Sequence, residues 1–130
     1  KKYYYKANSA VIKNNIVESH LMYKNDFFVN ALKKLLLNMN KIISKKNKKM
    51  ILIISPQLLD LKSKTNKNFI NFYKNLPKNI NCLDLTSELK KNLSYEKFYY
   101  KDIYGGHFNQ LGNKYISRKI EVFLKKNKLI

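Results

Sequence analysis

The run Met50-Ile51-Leu52-Ile53-Ile54, unbroken by a polar residue and closed by Ser55-Pro56, constrains the fold more than any other stretch of the chain. A strand with one solvated face alternates apolar and polar residues, and this run offers nothing polar on either side. It reads as a strand of a parallel sheet covered on both faces, which needs helices above and below. The flanking pattern supplies them. Residues 27–43 carry Phe28, Leu32, Leu35, Leu36, Met39, Ile42 and Ile43 at three-and-four spacing, an amphipathic helix with Asn25 or Asp26 as its cap. A lysine-rich loop, 45–49, ends it. Residues 66–76 place Phe69, Ile70, Phe72, Tyr73 and Leu76 on a helical stripe that Pro77 closes. Residues 80–85 form a second short strand, and Thr86-Ser87-Glu88-Leu89 starts a helical turn. Asn109 caps a final helix whose stripe is Leu111, Tyr115, Ile116, Ile120, Phe123 and Leu124.

Helix, buried strand, helix, buried strand, helix is the alternation of an α/β domain, with residues 50–54 and 80–85 as neighbouring parallel strands. Two strands fall short of the about four to six of a stable open sheet. Residues 1–24 add one weak strand candidate, Ala10-Val11-Ile12. The 130 residues suffice for a single domain. They read as the C-terminal part of an α/β domain whose N-terminal part is missing from the chain.

A net charge of +19 raises a polyanion-binding reading, but the kind of cation argues against specific recognition. Arg118 is the single arginine among 27 basic residues, and bidentate phosphate and base reading relies on the guanidinium fork. Lys, Asn, Ile and Tyr fill over half of the chain, and all four have AT-rich codons. Nucleotide bias therefore accounts for the charge, and nucleic acid is a disfavoured partner. Cys82 stands alone, so it forms no intramolecular disulfide and reads as a small core residue. With His20 and His107 as the two histidines, there is no Cys/His cluster at metal spacing, and no metal or cofactor is expected. No apolar run approaches the roughly 20 residues of a membrane helix.

All three glycines fall in one stretch, Tyr99-Tyr100-Lys101-Asp102-Ile103-Tyr104-Gly105-Gly106-His107-Phe108-Asn109-Gln110-Leu111-Gly112-Asn113. In open α/β sheets, ligands sit beyond the carboxyl ends of strands, where a loop leading to the last helix lies. His107, just before the helix cap, is placed to act as a general base, with Asp102 orienting the imidazole. Gly105-Gly106 reads as a turn, Asn109 as a helix cap and Gly112 as a close-packing position. Ser19-His20 also pairs a hydroxyl with an imidazole, but adjacent side chains seldom face each other.

The run Gly106-His107-Phe108-Asn109-Gln110-Leu111-Gly112-Asn113, with Asp102 before it, resembles the final block of the SGNH, or GDSL-like, hydrolases. That block places an Asp and a His just before the last helix, followed by Asn and Gly. Residues 50–56 look like the family's late core strand ending in Pro, and residues 80–85 like the strand that leads to the last block. The resemblance implies a three-layer α/β/α sandwich of flavodoxin-like SGNH type. It also implies a Ser-His-Asp mechanism for an ester hydrolase or acyl transferase acting on a small acyl ester or acylated carbohydrate. His107 and Asp102 carry over as the catalytic pair. The family's Asp lies two or three residues before its His; Asp102 lies five before, and the intervening glycines would fold the loop back. The nucleophile block Gly-Asp-Ser and the oxyanion-hole blocks have no counterpart, since no glycine precedes Gly105. The serine would come from upstream, and this chain alone is expected to be inactive. The alternative reading is a non-catalytic basic module that binds nucleic acid or another polyanion.

Overall fold

The computed structural model describes residues 2–102 and 106–130. Among these, the chain forms α1 (Lys2–Leu21), α2 (Asp26–Ser44), β1 (Ile51–Ile54), α3 (Leu58–Lys62), α4 (Lys67–Lys74), β2 (Asn81–Asp84), α5 (Leu85–Lys90) and α6 (Gln110–Lys126). Short 3-10 turns at Met22–Lys24 and Tyr95–Phe98 complete it. The strands pair in parallel, with Ile51 opposite Asn81 and Ile54 opposite Asp84. The molecule is thus mixed α/β with a two-stranded parallel sheet among the described residues.

Local chemistry explains the boundaries. Asn25 caps α2 by accepting from the Phe28 N–H at 3.1 Å, as the Asn-Asp start of that pattern suggests. Asp84 ends β2 and caps α5, its Oδ1 accepting from Thr86 N at 2.9 Å. Side chains on successive strand residues point to opposite faces, so Leu52 and Leu83 belong to two different clusters. One cluster centres on Leu36, Met50 and Ile80, with Leu52, Phe72 and Leu76 packed around them. The other holds Leu61, Leu83, Leu85, Leu89, Phe98 and Tyr99, covered by Tyr115, Ile116, Ile120 and Phe123 of α6.

Three expectations are corrected. Ala10-Val11-Ile12 is not a strand but lies within α1. Its apolar residues are a brief interruption in a long run free of glycine and proline, and the helix is anchored at its C-terminal end, where His20 is buried. Secondly, β1 is not covered on both faces: Ile51 and Ile53 are 38% and 39% exposed, while Met50 and Ile54 are buried. Among the described residues β1 pairs on one edge only, so helices packed over β2 reach it in part. Thirdly, Cys82 is partly buried rather than a core residue. Its surroundings still push the thiol up to about 11, by desolvation and then by the Asp84 charge. A further helix, α3, occupies the stretch after Pro56, where a capping box forms between Gln57 and Asp60.

Candidate functional site

The segment from Tyr95 to α6 is folded back on itself. Tyr99 and Phe108 form an antiparallel bridge, Tyr100 N–H donates to His107 O at 2.8 Å, and Asn109 N–H donates to Phe98 O at 2.9 Å. Asn109 then serves both sides. Its Oδ1 accepts from Gly112 N at 2.9 Å to cap α6, and its amide donates to Lys97 O at 2.8 Å. The Tyr99 and Phe108 rings lie 4.5 Å apart, and Tyr99 donates its hydroxyl to Pro56 O at 3.0 Å, fastening this hairpin to the end of β1. Burial is the main cause that pushes the Tyr99 phenol well above its ordinary range. The hydroxyl therefore stays protonated as the donor.

This scaffold brings His107 and Asp102 together. His107 Nδ1 lies 2.9 Å from Asp102 Oδ2, and Asp102 Oδ1 accepts from Gly106 N at 3.0 Å. Gly106 makes the loop possible: its φ is +85°, and a side chain there would place Cβ 2.5 Å from Leu58 Cβ. Across the five-residue separation, the Gly106 N–H and the His107 ring both meet the Asp102 carboxylate. Gly105, the other half of the expected turn, lies outside the described residues. An ionised carboxylate has only lone pairs, so the proton of the Asp102–His107 bond sits on Nδ1, and in the neutral imidazole Nε2 is then the acceptor. The imidazole side chain is 63% exposed and Asp102 is 26% exposed. The pair can take a proton from a group presented to Nε2, the role of an oriented general base. No hydroxyl or thiol hydrogen-bonds to Nε2 among the described residues.

Asn109 is the cap that the pattern predicts, and Gly112 is a close-packing position, with Phe98 O only 2.1 Å from where a Cβ would stand. Ser19 and His20 are not brought together. Ser19 donates to Ile16 O within α1 at 2.8 Å, whereas His20, 2% exposed, faces Asp60 and Thr65 at 3.1 Å each. These partners stand 40 and 45 residues away along the chain, and no local pattern announces them. No cluster of His, Cys, Asp or Glu able to hold a metal occurs among the described residues, and no helix there is long and apolar enough to cross a membrane. Compared with known proteins, the chain matches no family model, no curated protein and no solved structure.

Proposed function

We propose that this chain is the C-terminal part of an SGNH-type ester hydrolase or acyl transferase, with His107 as general base and Asp102 as the group that orients it. The single observation that carries this reading is the 2.9 Å contact between His107 Nδ1 and Asp102 Oδ2 on the loop that enters the last helix. In this reading Nε2 takes the proton of a serine hydroxyl supplied from outside these residues. The serine attacks the ester carbonyl, and the imidazolium returns the proton to the leaving alcohol. A three-layer α/β/α sandwich is the matching architecture. It is favoured by the two apolar clusters to which Leu52 and Leu83 belong. The substrate class is a small acyl ester or an acylated carbohydrate.

The test is hydrolysis of p-nitrophenyl acetate by the gene product extended upstream to a Gly-Asp-Ser block. A general base is worth about 10²–10⁴-fold, so His107→Ala should lose that much rate while the melting curve is kept. Asp102→Asn should lose less, because the imidazole remains but its tautomer is no longer fixed. The 130-residue chain alone should show no turnover above background. An upstream sequence without a serine block, or an extended folded protein indifferent to His107→Ala, would sink the enzyme reading and favour a basic binding module.

A further inference from the structure

A second candidate site lies away from the His107 loop, in a cleft between α1 and the turn that joins α3 to α4. It encloses about 320 Å³ and is lined by Ile16 and Val17 of α1, Leu59 of α3, Ser63, Thr65 and the lysines 13, 62 and 64. That volume is within the range of small-molecule sites. The wall is aliphatic and the rim is cationic. Glu96 holds Lys62 at 2.9 Å, whereas Lys13 and Lys64 have no acidic partner among the described residues.

Behind the lining residue Thr65 stands a pair, His20 and Asp60, that is not itself part of the wall. His20, 2% exposed, places Nε2 3.1 Å from Asp60 Oδ1 and Nδ1 3.1 Å from Thr65 Oγ1. Thr65 Oγ1 lies 2.7 Å from Ser63 Oγ, and Asp60 Oδ2 accepts from Gln57 N at 2.7 Å. Thr65 Oγ1 thus already has a partner inside the protein, the buried His20 ring. Ser63 Oγ also accepts from the Thr65 backbone N–H at 3.2 Å. Both hydroxyls therefore have partners within the protein, and what the cleft offers a ligand head is chiefly the charge of its ammonium groups.

An aliphatic wall beneath an ammonium rim fits an amphiphile with an anionic head. A phosphate head would call for further hydrogen-bond donors, and the hydroxyls of Ser63 and Thr65 are already bonded to each other and to His20. A carboxylate carries one charge, which two ammonium groups satisfy. We propose that this cleft binds a single-chain carboxylate, with its acyl tail along Ile16, Val17 and Leu59 and its head between Lys13 and Lys64. This site does not depend on the ester-hydrolase reading, since the binding needs neither His107 nor a serine.

Octanoate is the probe, titrated calorimetrically into the whole chain at constant ionic strength and pH 8, with octanol and octyl phosphate in parallel. Octanoate should bind saturably at one site and octanol should not. Val17→Trp leaves the charge unchanged and fills the cleft. It should weaken octanoate by at least about tenfold, the equivalent of losing a buried alkyl contact. The double variant Lys13→Gln/Lys64→Gln should weaken it as well. A circular-dichroism melt checks that each variant is folded, and Ile16→Trp serves where Val17→Trp is not. Binding that is unsaturable, or equal in wild type and the folded cleft-filling variant, would reduce the effect to general attraction by the net charge and overturn the site. Octyl phosphate binding tighter than octanoate would overturn the carboxylate assignment.

Discussion

At Gly112 the space a methyl group would need is already taken. Phe98 O lies 2.1 Å from the ideal Cβ, and Phe108 Cδ1 lies 3.1 Å from it. The carbonyl cannot swing away cheaply, because it accepts the Asn109 N–H at 2.9 Å and so holds the hairpin that carries His107. Gly112→Ala should therefore push α6 off that hairpin. The expected cost is about 1–3 kcal/mol, the range for overpacking a filled site, and it is read as a lower denaturant midpoint with unchanged slope. An unchanged midpoint would mean that the hairpin is free to slide, which would undo the account of how His107 is held. Gly106 is glycine for a different reason. Its φ of +85° is left-handed, and its N–H meets the Asp102 carboxylate that also meets the His107 ring. The concentration of every glycine in this stretch made a special backbone legible in the sequence. It did not reveal that Gly106 carries a positive φ.

Elements whose cause is local were the legible ones. The Asn caps of α2 and α6 and the apolar stripes behind them are read within one or two helical turns. By contrast, α1 is secured to α3 by His20 to Asp60, and the turn after α1 is secured to α4 by Tyr23 to Tyr73, contacts across the fold that no window of sequence contains. The apolar run of β1 reports what burial that strand tolerates. It does not say which neighbours are present, hence the exposed Ile51 and Ile53. The joint between α5 and α6 has an electrostatic component with a definite pH signature. Glu88 meets Lys91, just past the end of its own helix, at 2.6 Å and Lys119 of α6 at 3.0 Å. Hydrogen bonding to Lys91, then to Lys119, lowers the Glu88 carboxyl below its ordinary 4.5. A carboxyl lowered in the folded state stabilises it above the ordinary value, and that contribution is lost as pH falls through the folded one. Lys119→Met removes the bridge between helices and leaves the Lys91 pair. Its destabilisation should be within about 1 kcal/mol at pH 7, as for other exposed pairs, and should shrink as the pH is lowered from 5 to 3. Urea unfolding across that range checks it. A gap constant with pH would assign the loss to Lys119 packing on the Tyr115 ring instead.

For the whole molecule, the governing quantity is a net charge of +19 on 130 residues. The lysines are distributed along the entire sequence, and the salt bridges found among the described residues engage few of them. Like charges forced into a compact shape repel more than in the extended chain, so the folded state carries a self-repulsion that salt relieves. The screening length shrinks from about 10 Å at 0.1 M to about 3 Å at 1 M ionic strength. The melting temperature should therefore rise monotonically with sodium chloride between these concentrations. Each ~1 kcal/mol of relief is worth roughly 4 °C for a domain of this size. Sodium chloride is the suitable salt, because sulfate would also strengthen apolar burial and mix two effects. The same screening has an intermolecular consequence. Leu35, Met39 and Ile42 stand exposed at helical spacing on α2, and Ile51 and Ile53 are more than a third exposed on β1. Mutual repulsion between copies keeps such surfaces apart at low salt. Light scattering should then show self-association appearing over the salt range in which the melting temperature climbs, and Leu35→Lys/Ile42→Lys should suppress the association without reversing the thermal gain. A melting temperature indifferent to sodium chloride but raised by micromolar oligonucleotide, with that gain erased by salt, would mean the lysines form a polyanion site. The charge would then be a recognition feature in its own right, and nucleotide bias would no longer account for it.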